Sequence, residues 1–134
     1  MTLRIATWNI NSVRLRVDLV CKLLKNEEID VLCLQECKSP VEKIPLDAFS
    51  KIGFPHLVAR GQKGYNGVAI VSRFPLIAKS AIDFAELGHA RHIAAQLENG
   101  VTIHNFYIPA GGDEPDRQKN EKFDQKLNYL SEMK

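Results

Sequence analysis

Long apolar runs are missing from this chain. No stretch approaches the ~18 consecutive apolar residues of a membrane span, and the opening segment MTLRIATWNIN has neither the basic start nor the apolar core of a secretory leader. Those absences point to a cytoplasmic protein with no membrane partner. Cysteine is scarce: Cys21, Cys33 and Cys37 are odd in number and lack the spacing of a disulfide framework or a zinc knuckle, so reduced, packed thiols are expected. Neither sign of charge is in excess. A formal net charge of +2 permits nucleic acid as a partner without arguing for it. Repeats, low-complexity tracts and internal linkers are also lacking, and 134 residues with 45% hydrophobic and 25% charged side chains describe about one soluble domain.

What is present is a pair of apolar strands that end abruptly on polar residues. DVLCLQECK, residues 30–38, has the length of a buried strand and stops at Gln35 and Glu36; LRIATWNI stops in the same way at Asn9 and Asn11. Between them Val13, Val17, Val20 and Leu24 repeat at helical spacing behind Ser12, which reads as an N-cap. The unit is therefore β-α-β, and its crossover brings both polar ends to one edge of a parallel pair, with Asn9 beside Glu36. A side chain at such a strand end projects from a rigid support to where a metal or substrate can reach it.

Further along, PLDAFSKIG reads as a short helix from Pro45 to Gly53, residues 56–60 as a strand, and GVAIVSR as an apolar strand after the loop RGQKGYNG. LIAKSAIDF is a weaker strand. RHIAAQLE and VTIHNFYI flank Asn99-Gly100, the signature of a two-residue hairpin turn. That register pairs Glu98 with Val101, Ala94 with Asn105 and His92 with Tyr107 on one face, and leaves Ile93, Ala95, Leu97 and Phe106 for the core. After the loop PAGGDEPD, residues 118–134 read as a helix with Phe123, Leu127 and Leu130 on one stripe. SEMK offers no stop signal and no following strand, so the C-terminus reads as a cut.

Four segments in order, WNINSVR, LQECK, GYNGVAIVS and NFYIPAGGD, resemble the exonuclease III and abasic-site endonuclease family of DNA repair nucleases, and the likeness spans essentially the whole chain. The resemblance implies an α/β fold, the N-terminal half of a four-layer α/β/β/α sandwich with mixed sheets. Residues 1–134 would then be the N-terminal part of a single endonuclease/exonuclease/phosphatase domain whose C-terminal half is absent. It also implies hydrolysis of phosphodiesters in double-stranded DNA at abasic sites and 3′ ends, with Mg2+, or Mn2+ in its place. By position Glu36 would be the metal ligand with Asn9 beside it, and Tyr107 and Asn9 would serve catalysis at the phosphate. Asn11, Lys38, Tyr65, Asn66 and Arg91 would lie near the DNA. The family's Gly-Asp-x-Asn and Ser-Asp-His motifs do not occur, so the chain alone is expected to be inactive.

Plainer readings stand beside these. Glu36 is otherwise a surface carboxylate paired with Lys38, Asn9 and Asn11 are turn residues, Tyr107 is a half-buried strand residue, and Arg91 is an edge cation. A non-catalytic fragment that binds DNA or a partner, or a phosphatase acting on a phospholipid or sugar phosphate, uses the same residues.

Overall fold

The computed structural model describes residues 2–84 and 87–134. β1 (Ile5–Asn9) and β2 (Val31–Gln35) run parallel across α1 (Val17–Asn26), with Ile5 level with Val31 and Asn9 level with Gln35. β3 (His56–Arg60) and β4 (Val68–Ser72) add antiparallel strands, and the sheet order is β1-β2-β4-β3. Every residue of β2 and β4 is buried or nearly so, which explains why both read as continuous apolar runs: the sheet is covered on both faces. Leu32, Leu34, Ala69 and Val71 pack against Val20 and Leu24 of α1 and Phe49 of α2 (Leu46–Lys51). Val31, Cys33, Val68 and Ile70 meet Ile93, Ala95, Leu97 and Ile103 of a second sheet.

That second sheet is antiparallel, β5 (Leu76–Ala78), β6 (His92–Leu97) and β7 (Thr102–Phe106) in order. On its outward face lie His92 and Phe106, covered by Phe84, whose ring is 5.1 Å from that of Tyr129 on α3 (Glu121–Met133). The layers are thus helix, sheet, sheet and helix, the sandwich expected from sequence. β1 and β7 are the edges of their sheets, and a groove of about 430 Å³ lined by Ile5, Thr7, Thr102 and His104 opens between them. The cysteines are free thiols; burial pushes Cys33 up to about 11 and Cys37 to about 12, so neither is a nucleophile at neutral pH.

Three expectations need correction. Ser12 does not cap α1: it sits at φ 83, its N–H donates to Glu36 O at 2.8 Å, and the helix begins at Val17. Pairing with residues 35–37 at the strand end outweighs the local capping preference. LIAKSAIDF keeps strand geometry only over Leu76–Ala78.

The hairpin is the third. Its loop is three residues long, with Leu97 N donating to Val101 O at 2.9 Å and Gly100 alone at φ 90, so His92 faces Phe106 and Ile93 faces Asn105. One residue of slip turns every β7 side chain over. Phe106 leaves the core face, and Ile103, Asn105 and Tyr107 point toward the first sheet.

His92 is fully buried on the outward face and does not meet Tyr107. Its Nδ1 accepts from Ile82 N at 3.0 Å, and its Nε2 lies 3.1 Å from His104 Nδ1. Burial, with His104 and Arg60 adding to it, holds this imidazole down at about 4 against an ordinary 6.5. The folded state therefore binds fewer protons than the unfolded state between those values, and stability falls as pH drops through the window. The loss is expected to reach about 1.4 kcal/mol per pH unit. Urea unfolding from pH 7 to pH 4 checks this: His92→Gln, whose amide oxygen can still accept from Ile82, should flatten the dependence, and an unchanged slope would contradict it.

Candidate active site

Three loops meet at one end of the first sheet. Ser12 N and Val13 N donate to Glu36 O and Cys37 O, while Cys37 N and Lys38 N donate to Gly67 O and Asn66 O. The five non-glycine residues at positive φ among the described residues, Asn11, Ser12, Glu36, Lys38 and Asn66, all lie in these loops. Each such residue costs roughly 1–2 kcal/mol in an L-chain, so the surrounding contacts must hold it there, and strain gathered in this way marks functional sites. Gly67 explains the close meeting: at φ +93, a Cβ on it would lie 3.3 Å from Cys37 Cβ.

The slip in β7 brings Tyr107 to this end. Its hydroxyl donates to Glu36 Oε1 at 2.7 Å, joining the second sheet to the rim of the first. Glu36 Oε2 has no protein partner among the described residues. Burial first, and then the Glu36 carboxylate, push the phenol up to about 12, so it remains a donor at neutral pH. The Arg91 guanidinium lies 4.5 Å from the centre of the Tyr107 ring, and Nη1 donates to Tyr107 O at 3.3 Å.

Asn9 is exposed at the end of β1, level with Gln35 and so beside the Glu36 loop. Lys38 Nζ donates to Asn11 Oδ1 at 2.6 Å. Tyr65 is 58% exposed, with its ring edge-on to His89 at 6.5 Å. Asn66 lies inside the loop that precedes β4. It is 6% exposed and its amide donates to Gln62 Oε1 at 3.1 Å, so it shapes the loop from within.

Some parts escaped the sequence reading. Asn105 is buried, donates through Nδ2 to Leu34 O and Ala69 O at 2.9 Å each, and accepts from Gln35 Nε2 at 2.8 Å; Gln35 also reaches Thr7 Oγ1 at 2.9 Å. This amide pair ties β7 to β1, β2 and β4 just below Glu36 and Tyr107. Arg14 Nη2 donates to Lys38 O at 3.2 Å and Arg16 Nη1 to Asn11 O, adding two cations to the rim. A polar residue ending each of three apolar strands was the only available signal. Tyr129, fully buried, donates to Arg91 O at 2.9 Å and was hidden by the Phe123, Leu127, Leu130 stripe.

A carboxylate on a strained rim, a phenol held as a donor and a surround of guanidinium and ammonium groups suit the handling of a phosphoryl group. Residues 6–132 match the Endonuclease/Exonuclease/phosphatase family. The chain belongs to that family. Within the Endonuclease/Exonuclease/phosphatase family it is 28% identical over 136 residues to exodeoxyribonuclease III of Haemophilus influenzae, covering 98% of this chain and 49% of that protein. An AP endonuclease structure from Archaeoglobus fulgidus superposes with a TM-score of 0.86 at 36% identity, covering 98% of this chain and 49% of the other. The 3′-5′ exonuclease NExo of Neisseria meningitidis superposes with a TM-score of 0.81 at 35% identity, covering 96% and 49%. The chain spans about half the length of these relatives.

Proposed function

We propose that this chain is the N-terminal half of a single family domain, and that it supplies the metal and phosphate side of a DNA repair nuclease. The substrate is double-stranded DNA, cut at abasic sites and trimmed at 3′ ends, in the cytoplasm. The observation that carries the reading is the 2.7 Å contact between Tyr107 and Glu36, made across two sheets at the strand ends. The free edges β1 and β7 support the half-domain reading, since each can accept further strands. No helix among the described residues is long and apolar enough to cross a membrane.

The donors fit a hard divalent ion. Among the described residues no cluster of three or more His, Cys, Asp and Glu could hold a metal, so the ion would rest on the free oxygen of Glu36, with Asn9 as its neighbour at the end of β1. One or two protein oxygens suit Mg2+, which keeps several waters, and Mn2+ accepts the same ligands. Such an ion would neutralise charge on the phosphoryl oxygens and orient the phosphate for in-line attack by water. Tyr107, protonated at neutral pH, donates to a phosphoryl oxygen or to Glu36. Arg91 holds the ring, and Lys38 and Asn11 brace the rim together. The water-activating aspartate and the histidine of the family motifs do not occur in these 134 residues, so this segment alone is expected to bind without turnover.

Binding competition tests the reading on the chain itself. Duplex DNA with an abasic site should displace an inositol phosphate and resist displacement by it; the reverse order would favour a phosphatase. When the chain is joined to the second half of a family domain, Tyr107→Phe should lower turnover by roughly 10²-fold and DNA affinity much less. A change in affinity alone would refute a role for the hydroxyl in the reaction.

A further inference from the structure

A pocket of about 310 Å³ adjoins Tyr107, between the start of β6 and the first turns of α3. Its walls include His89, Arg91, Tyr107, Gly111, Gly112 and Lys122, and no carboxylate lines it. Arg91 is half-buried, yet the ion pairs found among the described residues, Arg4–Glu28, Arg73–Asp30 and Arg117–Asp124, lie elsewhere. Its contacts are neutral: the Tyr107 ring and carbonyl, and His89 Nδ1 at 3.4 Å from Nε. A cation withdrawn from water without an opposite charge is costly, and a concave wall that sets it beside the exposed ammonium-bearing Lys122 concentrates positive potential.

The pocket is also preformed. Gly111 lies at φ +89, where a Cβ would come within 2.8 Å of Lys126 Cδ, so the turn rests directly on α3. Asn120, the N-cap of that helix, donates to Gly111 O at 2.9 Å and to Glu114 O at 2.8 Å. Tyr129 fixes Arg91 from below through its carbonyl. Arg91 and Lys122 are thus carried on separate elements that are locked to each other around the space.

We propose that this pocket is a second phosphate site, which takes the phosphodiester next to the one at Glu36 and Tyr107, with Lys122 and Arg91 as its cations. The proposal rests on the nuclease reading for the identity of its ligand. It makes Lys122 a binding residue that sets where the strand lies against Tyr107, because both phosphates are gripped at once.

Two measurements on the 134-residue chain test it. Titration with inorganic phosphate, followed by ¹H–¹⁵N spectra, should give saturable shifts at the Gly111 and Gly112 amides that Lys122→Gln weakens. Fluorescence anisotropy with an abasic-site duplex, repeated over a range of salt, should give a log–log slope lower by about one for Lys122→Gln. Lys119→Gln, an exposed lysine outside the pocket, should bind like the parent chain. Shifts that do not saturate, or a Lys122 variant indistinguishable from the Lys119 variant, would overturn the site. Saturable phosphate binding at Gly111 and Gly112 with no duplex binding at all would support the pocket while sinking the nuclease reading.

Discussion

Glu36→Gln should lower divalent-metal-dependent cleavage by roughly a thousand-fold, ~4 kcal/mol of transition-state stabilisation, when the chain is joined to the second half of a family domain. The substitution is nearly isosteric, and the amide oxygen can still accept from Tyr107 Oη, so folding should survive. What is lost is the charge that would hold the metal. A second readout needs no turnover. The Glu36 carboxylate contributes to the raised phenol of Tyr107 both as acceptor and as charge, behind burial. In the variant, Tyr107 should titrate below about 12 but stay above the ordinary value of 10, because burial persists. Tyrosinate absorbance, with Tyr107→Phe as the blank, reads this directly. Combined with Tyr107→Phe, the two losses should not add, since the groups touch. Cleavage close to the parent rate would remove Glu36 from the metal site, whatever the titration shows.

Much of this arrangement was legible because strand ends announce themselves. The apolar runs before Asn9 and Glu36, joined by a helical repeat, were enough to infer a parallel pair with polar ends level, and Asn9 does stand opposite Gln35. The strand from His56 to Arg60 matched its boundaries because Gly53 and the basic loop bracket it. The hairpin was legible in existence but not in register. Asn-Gly serves a two-residue turn when both residues take positive φ and a three-residue loop when glycine alone does, and here only Gly100 does. That single difference decides whether Tyr107 faces Glu36 or the opposite side of the sheet. Partnerships across long separations were beyond reach: Gln35 and Asn105 are 70 residues apart, and nothing local to either says that two buried amides will satisfy each other.

Asn105 carries the largest expected effect on stability. Both hydrogens of its amide are spent on carbonyl oxygens, Leu34 O in β2 and Ala69 O in β4, and its oxygen receives Gln35. Asn105→Ala removes three buried hydrogen bonds at about 1 kcal/mol each and leaves a cavity, so a loss of roughly 3–4 kcal/mol is expected from a total of about 5–15. Asn105→Asp should be worse at neutral pH. A carboxylate would present acceptors to two carbonyl oxygens, in a site that is 2% exposed and has no cation among its contacts. Urea unfolding at pH 7 orders the variants: parent, Ala, then Asp, with Asp recovering partly in acid as the carboxyl takes up a proton. An Asp variant within 1 kcal/mol of the parent would show that the amide is not the clamp between sheets. The consequence reaches the site, because Asn105 and Tyr107 point from the same face of β7. Without the clamp the strand end can ride away from β2, and the 2.7 Å contact with Glu36 is the first to go. In Asn105→Ala, Tyr107 should therefore titrate lower even under conditions where the chain remains folded.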